Sequence, residues 1–161
     1  MSKNVIKMFN GDNSFLSNFH PAIVQFEGFN YPTVEHAYAA AKTTEFFFRR
    51  LIVSLPADKV GLARRRGKSI RLRKGWDNIK IDIMFNLLCT KFKDPNLKEK
   101  LLATGDDKLI EGNYWHDNIW GNCVCRKCKT IEGQNWLGRL LTEVRKQINQ
   151  KGRCYSKGYV R

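Results

Sequence analysis

A chain of 161 residues with 42% hydrophobic and 27% charged residues is neither a disordered polymer nor a membrane-spanning protein. No apolar run approaches the ~18 residues that a spanning helix needs. Twenty-nine Lys and Arg against fifteen Asp and Glu give a net charge of +14, which favours an anionic partner: nucleic acid, nucleotide phosphates or an anionic lipid surface.

In chain order, residues 5–9 and 22–27 are predicted as short strands around a turn-rich stretch, Asn10-Gly11-Asp12-Asn13-Ser14. Residues 27–32 form a further turn and a short extended piece. Thr33 is placed to cap an alanine-rich helix over about 34–43. Helices follow near 45–54 and 57–67. The stripe Ile79, Ile83, Met84, Leu87, Leu88 and Phe92 predicts a helix over 76–92. A short helix spans Pro95 to Ala103, with proline in its first turn. The last helix covers about 135–149, on the stripe Leu137, Leu140, Leu141, Val144 and Ile148. The segment between, Thr104 to Gln134, is predicted as a long irregular loop, the kind that usually carries function. With no repeat and no linker, the expectation is one mainly helical α+β domain over residues 1–150. A small N-terminal β element belongs to it, and a basic, mobile tail over 151–161 follows.

Four features carry chemistry. On the helix that begins after Thr33, Glu35, Tyr38 or Ala39, and Lys42 share one face, because seven residues make nearly two turns. A carboxylate and an amine directed into one cleft suit general base and nucleophile or electrophile. The same placement also complements the helix dipole. His36 lies one position round the helix, where a packed histidine is the plainer reading.

The second feature is the loop from Glu111 to Gly121, with Tyr114, Trp115, His116, Asp117 and Trp120. Aromatic faces beside carboxylates suit a sugar or base. Asp117 would supply a second carboxylate for cleaving a glycosidic bond, whose transition state resembles an oxocarbenium cation. The plainer reading makes the tryptophans core residues and the acids turn-formers.

The third is Cys123-Val-Cys125-Arg-Lys-Cys128. Three of the four ligands of a structural zinc are local there, and His116 or Cys154 would complete the set. The N-terminal stretch Met-Ser-Lys-Asn-Val-Ile-Lys has no apolar secretory segment. The expected setting is therefore intracellular and cytoplasmic, with reduced thiols or metal ligands in place of a disulfide framework. The fourth is charge: Arg49 to Lys80 holds eleven basic residues against two acidic ones, and Arg126 to Arg161 ten against two. Arginine suits phosphate. No Walker loop and no G-x-G-x-x-G is present.

Taken together, Phe15-Leu16-Ser17-Asn18-Phe19, Tyr31-Pro32-Thr33-Val34-Glu35-His36-Ala37-Tyr38 with Lys42, Trp76, Leu101-Leu102-Ala103-Thr104-Gly105-Asp106, Glu111-Gly112-Asn113, Trp120-Gly121, and Gln134-Asn135-Trp136-Leu137-Gly138 with Val144-Arg145 resemble the NADAR (YbiA-like) family. The motifs follow the family's order over about residues 9–148. The resemblance implies a mainly helical N-glycosidase that cleaves between ribose C1′ and a nitrogen. Some members act on phosphoribosyl intermediates of riboflavin biosynthesis, and others remove ADP-ribose from guanine in nucleic acid. It further implies Glu35, Lys42 and Asp117 as catalytic residues, with Asn18 and Trp76 at the substrate. His36, Trp115 and Trp120 are placed beside them as substrate-contacting candidates. The sequence departs from the family's pattern at Gly75, where many members carry an acid before the tryptophan. It departs also in the basic Arg64–Lys68 stretch and in the cysteine cluster, which only part of the family has.

Three functions are therefore weighed: removal of ADP-ribose from modified guanine in nucleic acid, N-glycosyl cleavage of riboflavin-pathway phosphoribosyl intermediates, and a catalytically silent nucleic-acid-binding module. The charge favours the first and third. Glu35, Lys42, Trp76 and Asp117 together speak against the third. The hydrolysis requires no metal or redox cofactor, no membrane partner is expected, and the oligomeric state is not legible.

Overall fold

The computed structural model describes residues 4–158. It is a mainly helical α+β fold whose backbone contacts divide it into two compact units. The first takes the chain up to Ser17 and then Pro95–Cys154. The second takes Asn18–Asp94 and the residues from Tyr155 on.

β1 (Val5–Ile6) belongs to the first unit; in the second, β2 (Val24–Phe26) and β3 (Phe29–Tyr31) form an antiparallel hairpin, with Val24 opposite Tyr31. Its two turn residues, Glu27 at φ 41° and Gly28 at φ 87°, both have positive φ, the pattern of a type I′ turn. Four helices follow: α1 (Val34–Ala41), α2 (Phe46–Val53), α3 (Val60–Lys68) and α4 (Trp76–Lys91). Thr33 caps α1 as the sequence predicts, its Oγ1 accepting from the His36 backbone N at 3.2 Å.

Helix α1 is the centre of this unit. Val34 and His36 through Ala41 are all buried, and α2, α3, α4 and the hairpin pack around it. Its small side chains permit close approach. A Cβ on Gly67 of α3 would lie 2.9 Å from the Ala39 Cβ, so the two helices meet through this glycine–alanine pair. Gly75 stands at φ 71° before α4, a conformation that explains glycine where the family's acid is expected.

Burial on α4 is wider than the predicted stripe, taking in Phe85, Cys89 and Lys91 as well. Lys91 is 1% exposed, and burial pushes its pKa down to about 7. Between pH 7 and about 10.4, the unfolded chain holds this proton and the folded chain does not, so stability rises with pH in that window. Urea unfolding of wild type is therefore expected to gain up to ~1.4 kcal/mol per pH unit over Lys91→Met; parallel curves would contradict the assignment. The stretch after Gly152, expected to be mobile, docks as far as it is described: the Lys157 backbone exchanges hydrogen bonds of 2.7 and 2.8 Å with the Asn86 amide, and its Nζ lies 3.5 Å from Asp82. Residues 159–161 of that tail lie outside the described residues.

In the first unit, β1 (Val5–Ile6) pairs in parallel with β4 (Lys108–Leu109), and β5 (Gly112–Asn113) in parallel with β6 (Asn122–Cys123). The predicted irregular segment thus holds three two-residue strands. Helices α5 (Pro95–Ala103) and α6 (Trp136–Lys151) complete this unit, and all five residues of the predicted α6 stripe are buried. Asn135 ties α6 to the strands: its Nδ2 donates to the Leu109 carbonyl at 2.8 Å, and its Oδ1 accepts from Glu111 N at 3.0 Å. Arg145 Nη1 donates to Thr104 Oγ1 at 2.6 Å and Nη2 to the Asp107 carbonyl at 2.9 Å. No described helix is long and apolar enough to cross a membrane.

Candidate active site

The α1 face in the second unit gathers several of the predicted residues. Glu35 and Lys42 are both half-buried. Lys42 Nζ lies 5.4 Å from the centre of the Tyr38 ring. Tyr38 in turn packs against Trp76, centroids 5.3 Å apart and tilted by 50°. Burial lowers the Lys42 pKa, Glu35 opposes that shift, and Arg64 and Lys68 on α3 add to it. A neutral amine is thereby brought closer to physiological pH, the condition that a nucleophilic lysine needs. Tyr38 was only one of two residues assigned to this face by helical spacing; its contacts with both Lys42 and Trp76 now single it out.

Asn18 sits where α1 begins. Its carbonyl accepts from Glu35 N at 3.0 Å, and its Nδ2 meets Met84 Sδ at 3.5 Å. Its Oδ1 is buried with no hydrogen-bond partner among the described residues. A buried acceptor left open is costly, and a ligand hydroxyl would satisfy it. Arg66 on α3 likewise keeps a buried Nη1 without a hydrogen-bond partner. Trp76 is 6% exposed, so it forms a wall behind Tyr38. His36 is fully buried, with Nδ1 2.8 Å from Thr33 Oγ1. Burial lowers its pKa, and the Pro56 backbone opposes the shift. Its visible work is to pack the start of α1.

The end of α1 is fixed by Arg73. Its backbone N donates to the Lys42 carbonyl at 2.6 Å, and Nη1 to the Ala41 carbonyl at 3.3 Å. Those carbonyls would otherwise be orphans of the helix end. Arg73 is itself paired with Glu27 at 3.3 Å, and Glu27 also pairs with Arg49 at 2.5 Å. Arg49 Nε donates to the Thr43 carbonyl at 2.9 Å. Two arginines of the basic Arg49–Lys80 run therefore brace the segment carrying Lys42. The exposed basic residues of this stretch include Arg65, Lys68, Arg71 and Lys74.

Asp117, Trp115, Trp120, Cys123, Cys125, Cys128 and Cys154 lie in the first unit. Asp117 Oδ1 accepts from Ile119 N at 3.1 Å and Trp120 N at 2.9 Å, the geometry of a turn-forming acid. The Asn113 side chain supports the same loop, accepting from Trp115 N and Asp117 N and donating to the Asp117 carbonyl at 2.7 Å. Trp115 is 56% exposed and Trp120 half-buried, so neither is a core residue. Cys123, Cys125 and Cys128 are free thiols that cluster with His116. Cys154, the alternative fourth ligand, is disulfide-bonded, as is Cys89. Those two positions depart from the expectation of reduced thiols.

This mainly helical α+β architecture is shared with Escherichia coli YbiA, whose NMR structure matches with a TM-score of 0.79 at 31% identity, over 94% of this chain and 89% of that one. The NADAR domain model matches residues 7–149, and the chain belongs to that family. The N-glycosidase YbiA of Escherichia coli is 34% identical over 133 residues, which is 82% of this chain and 79% of the relative. The maize chloroplastic riboflavin biosynthesis protein PYRR is 32% identical over 148 residues, and there the chain spans only 23% of the relative's length. Relatives named as N-glycosidases place the chain among hydrolases of N-glycosyl bonds.

Proposed function

We propose that this chain hydrolyses a ribose C1′–N bond, and that its substrate is ADP-ribose carried on guanine in nucleic acid. The observation that carries the reading is the α1 face: a half-buried amine with a lowered pKa, in the field of Glu35 and over a Tyr38–Trp76 aromatic pair. Cleavage of the bond builds positive charge on the sugar. Glu35 stabilises that charge and orients water. The neutral Lys42 amine adds to C1′ while the C1′–N and C1′–ring-oxygen bonds break; its two protons pass to the departing base nitrogen and to the ring oxygen, leaving an imine of the opened sugar, and water then adds to the imine to free the sugar and return the amine. Asn18 Oδ1 accepts from a sugar hydroxyl, and the exposed basic residues take the phosphates. The role of Asp117 as a second carboxylate stands on the family resemblance, and its Oδ1 is already engaged by the turn.

The net charge of +14 supports a polyanionic substrate, since one small phosphate ester needs only a local basic pocket. A second reading, cleavage of a phosphoribosyl intermediate of riboflavin biosynthesis, draws support from the name of the maize relative. Salt separates the two. For an oligonucleotide carrying ADP-ribosyl guanine, log kcat/KM is expected to fall against log salt with a slope of about −2 or steeper, as several phosphate contacts are screened. A flat response for that substrate, with efficient turnover of the ribosylamino-pyrimidine phosphate, would transfer the assignment to the second reading.

A further inference from the structure

We infer that His116, Cys123, Cys125 and Cys128 hold one structural Zn²⁺, which clasps the loop between β5 and β6. The ligand atoms of all four residues lie within 4.8 Å of one another. His116 Nδ1 is 3.2 Å from Cys128 Sγ and 3.4 Å from Cys125 Sγ. A tetrahedral zinc with ordinary Zn–S and Zn–N bonds sets its ligand atoms about 3.6–3.8 Å apart. The cluster therefore needs sub-ångström to ångström adjustments of side chains, and no backbone rearrangement, to close on the ion.

The backbone is already shaped for this. Cys123 ends β6 and is buried, and a turn with Cys128 N bonded to the Cys125 carbonyl at 3.0 Å brings the other two sulfurs back to it. His116 has φ +66°, an uncommon conformation for a residue with a side chain, and one that persists only where surrounding interactions hold it. The loop has a second anomaly. β5 and β6 are parallel, yet residues 114–121 alone connect them, and parallel strands ordinarily need a crossover of a dozen or more residues. The link is very tight: a Cβ on Gly121 would run into the Glu111 carbonyl. An ion joining His116 inside the crossover to three sulfurs beyond it would lock so short a connection.

Three thiolates and one imidazole are soft and borderline ligands in tetrahedral number, a set that selects zinc over magnesium or calcium. Four protein ligands close the coordination sphere and leave no position for a reacting water, so the site is structural. Binding displaces the thiol protons and therefore tightens as pH rises.

The test is metal analysis of the full chain, purified without a histidine tag and kept reduced. Elemental analysis is expected to give one zinc per chain. Replacing the zinc by Co²⁺ is expected to give the intense visible bands and the sulfur-to-cobalt charge-transfer band of a tetrahedral thiolate site. Cys125→Ser and His116→Ala should each lower zinc retention during dialysis against a chelator by tenfold or more, while His20→Ala keeps it. Hydrogen exchange at residues 114–121 should accelerate when zinc is stripped. Should the reduced protein bind neither zinc nor cobalt, carry iron instead, or retain zinc equally in Cys125→Ser and His116→Ala, the inference fails. Because the cobalt spectrum reads the ligands directly, a variant that folds poorly does not obscure the result in wild type.

Discussion

Lys42→Arg is expected to lower kcat by at least about 10²-fold, the lower end of what a positioned proton-transfer or nucleophilic group contributes. The substitution keeps a cation at the end of α1 and suits phosphate at least as well as lysine does. It removes only the amine that can be neutral and attack carbon. Burial, Arg64 and Lys68 lower the Lys42 pKa and Glu35 holds it up, which fixes the sign of the pH dependence. The neutral amine is the active form, so the wild-type rate climbs as pH rises through a pKa below the ordinary lysine range, then levels. Lys42→Arg loses that limb together with the rate. Borohydride added during turnover should reduce the imine and leave the sugar attached at Lys42. If Lys42→Arg keeps most of the activity and the wild-type rate falls as pH rises, the lysine is a phosphate contact.

Glu27→Gln is expected to destabilise the chain by ~3–5 kcal/mol, the cost of leaving a buried charge without its partner. The Glu27, Arg49 and Arg73 side chains are only 14%, 9% and 6% exposed, so solvent screens them little. One carboxylate balances two guanidinium groups. A glutamate is also an unfavourable choice for a turn at φ 41°, where asparagine is preferred. Glu27→Asn relieves that backbone strain but is too short to hold the pairs, so it should be nearly as destabilised as Glu27→Gln. Urea unfolding of both variants distinguishes the contributions. Full stability in Glu27→Asn would mean that the turn, and not the ion pairs, governs this corner. A further consequence reaches the site: Glu27 holds Arg73, and Arg73 caps the carbonyls of Ala41 and Lys42. Loss of Glu27 should therefore lower kcat as well as stability.

Much of this was legible because it is local. The Thr33 cap, the alanine-rich α1 and the α6 stripe follow from residues a few positions apart, and the structure has them close to where the spacing predicts. The β1–β4 and β5–β6 pairs were not legible. Two-residue strands leave no alternating pattern, and parallel partners are set by contacts distant in sequence. Glu27 was unreadable for the same reason, since its pair with Arg73 spans 46 residues. Arg49, Arg73 and Arg145 belong to the two basic runs, yet each is engaged inside the fold, Arg49 and Arg73 by Glu27 and Arg145 by Thr104 and the Asp107 carbonyl: sequence gives the charge but not the carboxylate or carbonyl that absorbs it. Of the site, helical spacing put Glu35, Tyr38 and Lys42 on one face, and His116 was among the proposed ligands of the cysteine cluster. The disulfide-bonded state of Cys154 needed coordinates. So did the turn that engages Asp117 Oδ1.

The most direct test of the central claim is turnover of two substrates side by side, an oligonucleotide bearing ADP-ribosyl guanine and a ribosylamino-pyrimidine phosphate of the riboflavin route. Released sugars are identified by mass spectrometry for wild type and Glu35→Gln. The account expects free ADP-ribose and intact guanine from the oligonucleotide, with the rate lowered by roughly 10²-fold or more in Glu35→Gln. Release of sugar at an undiminished rate by Glu35→Gln, or turnover of neither substrate, would contradict it.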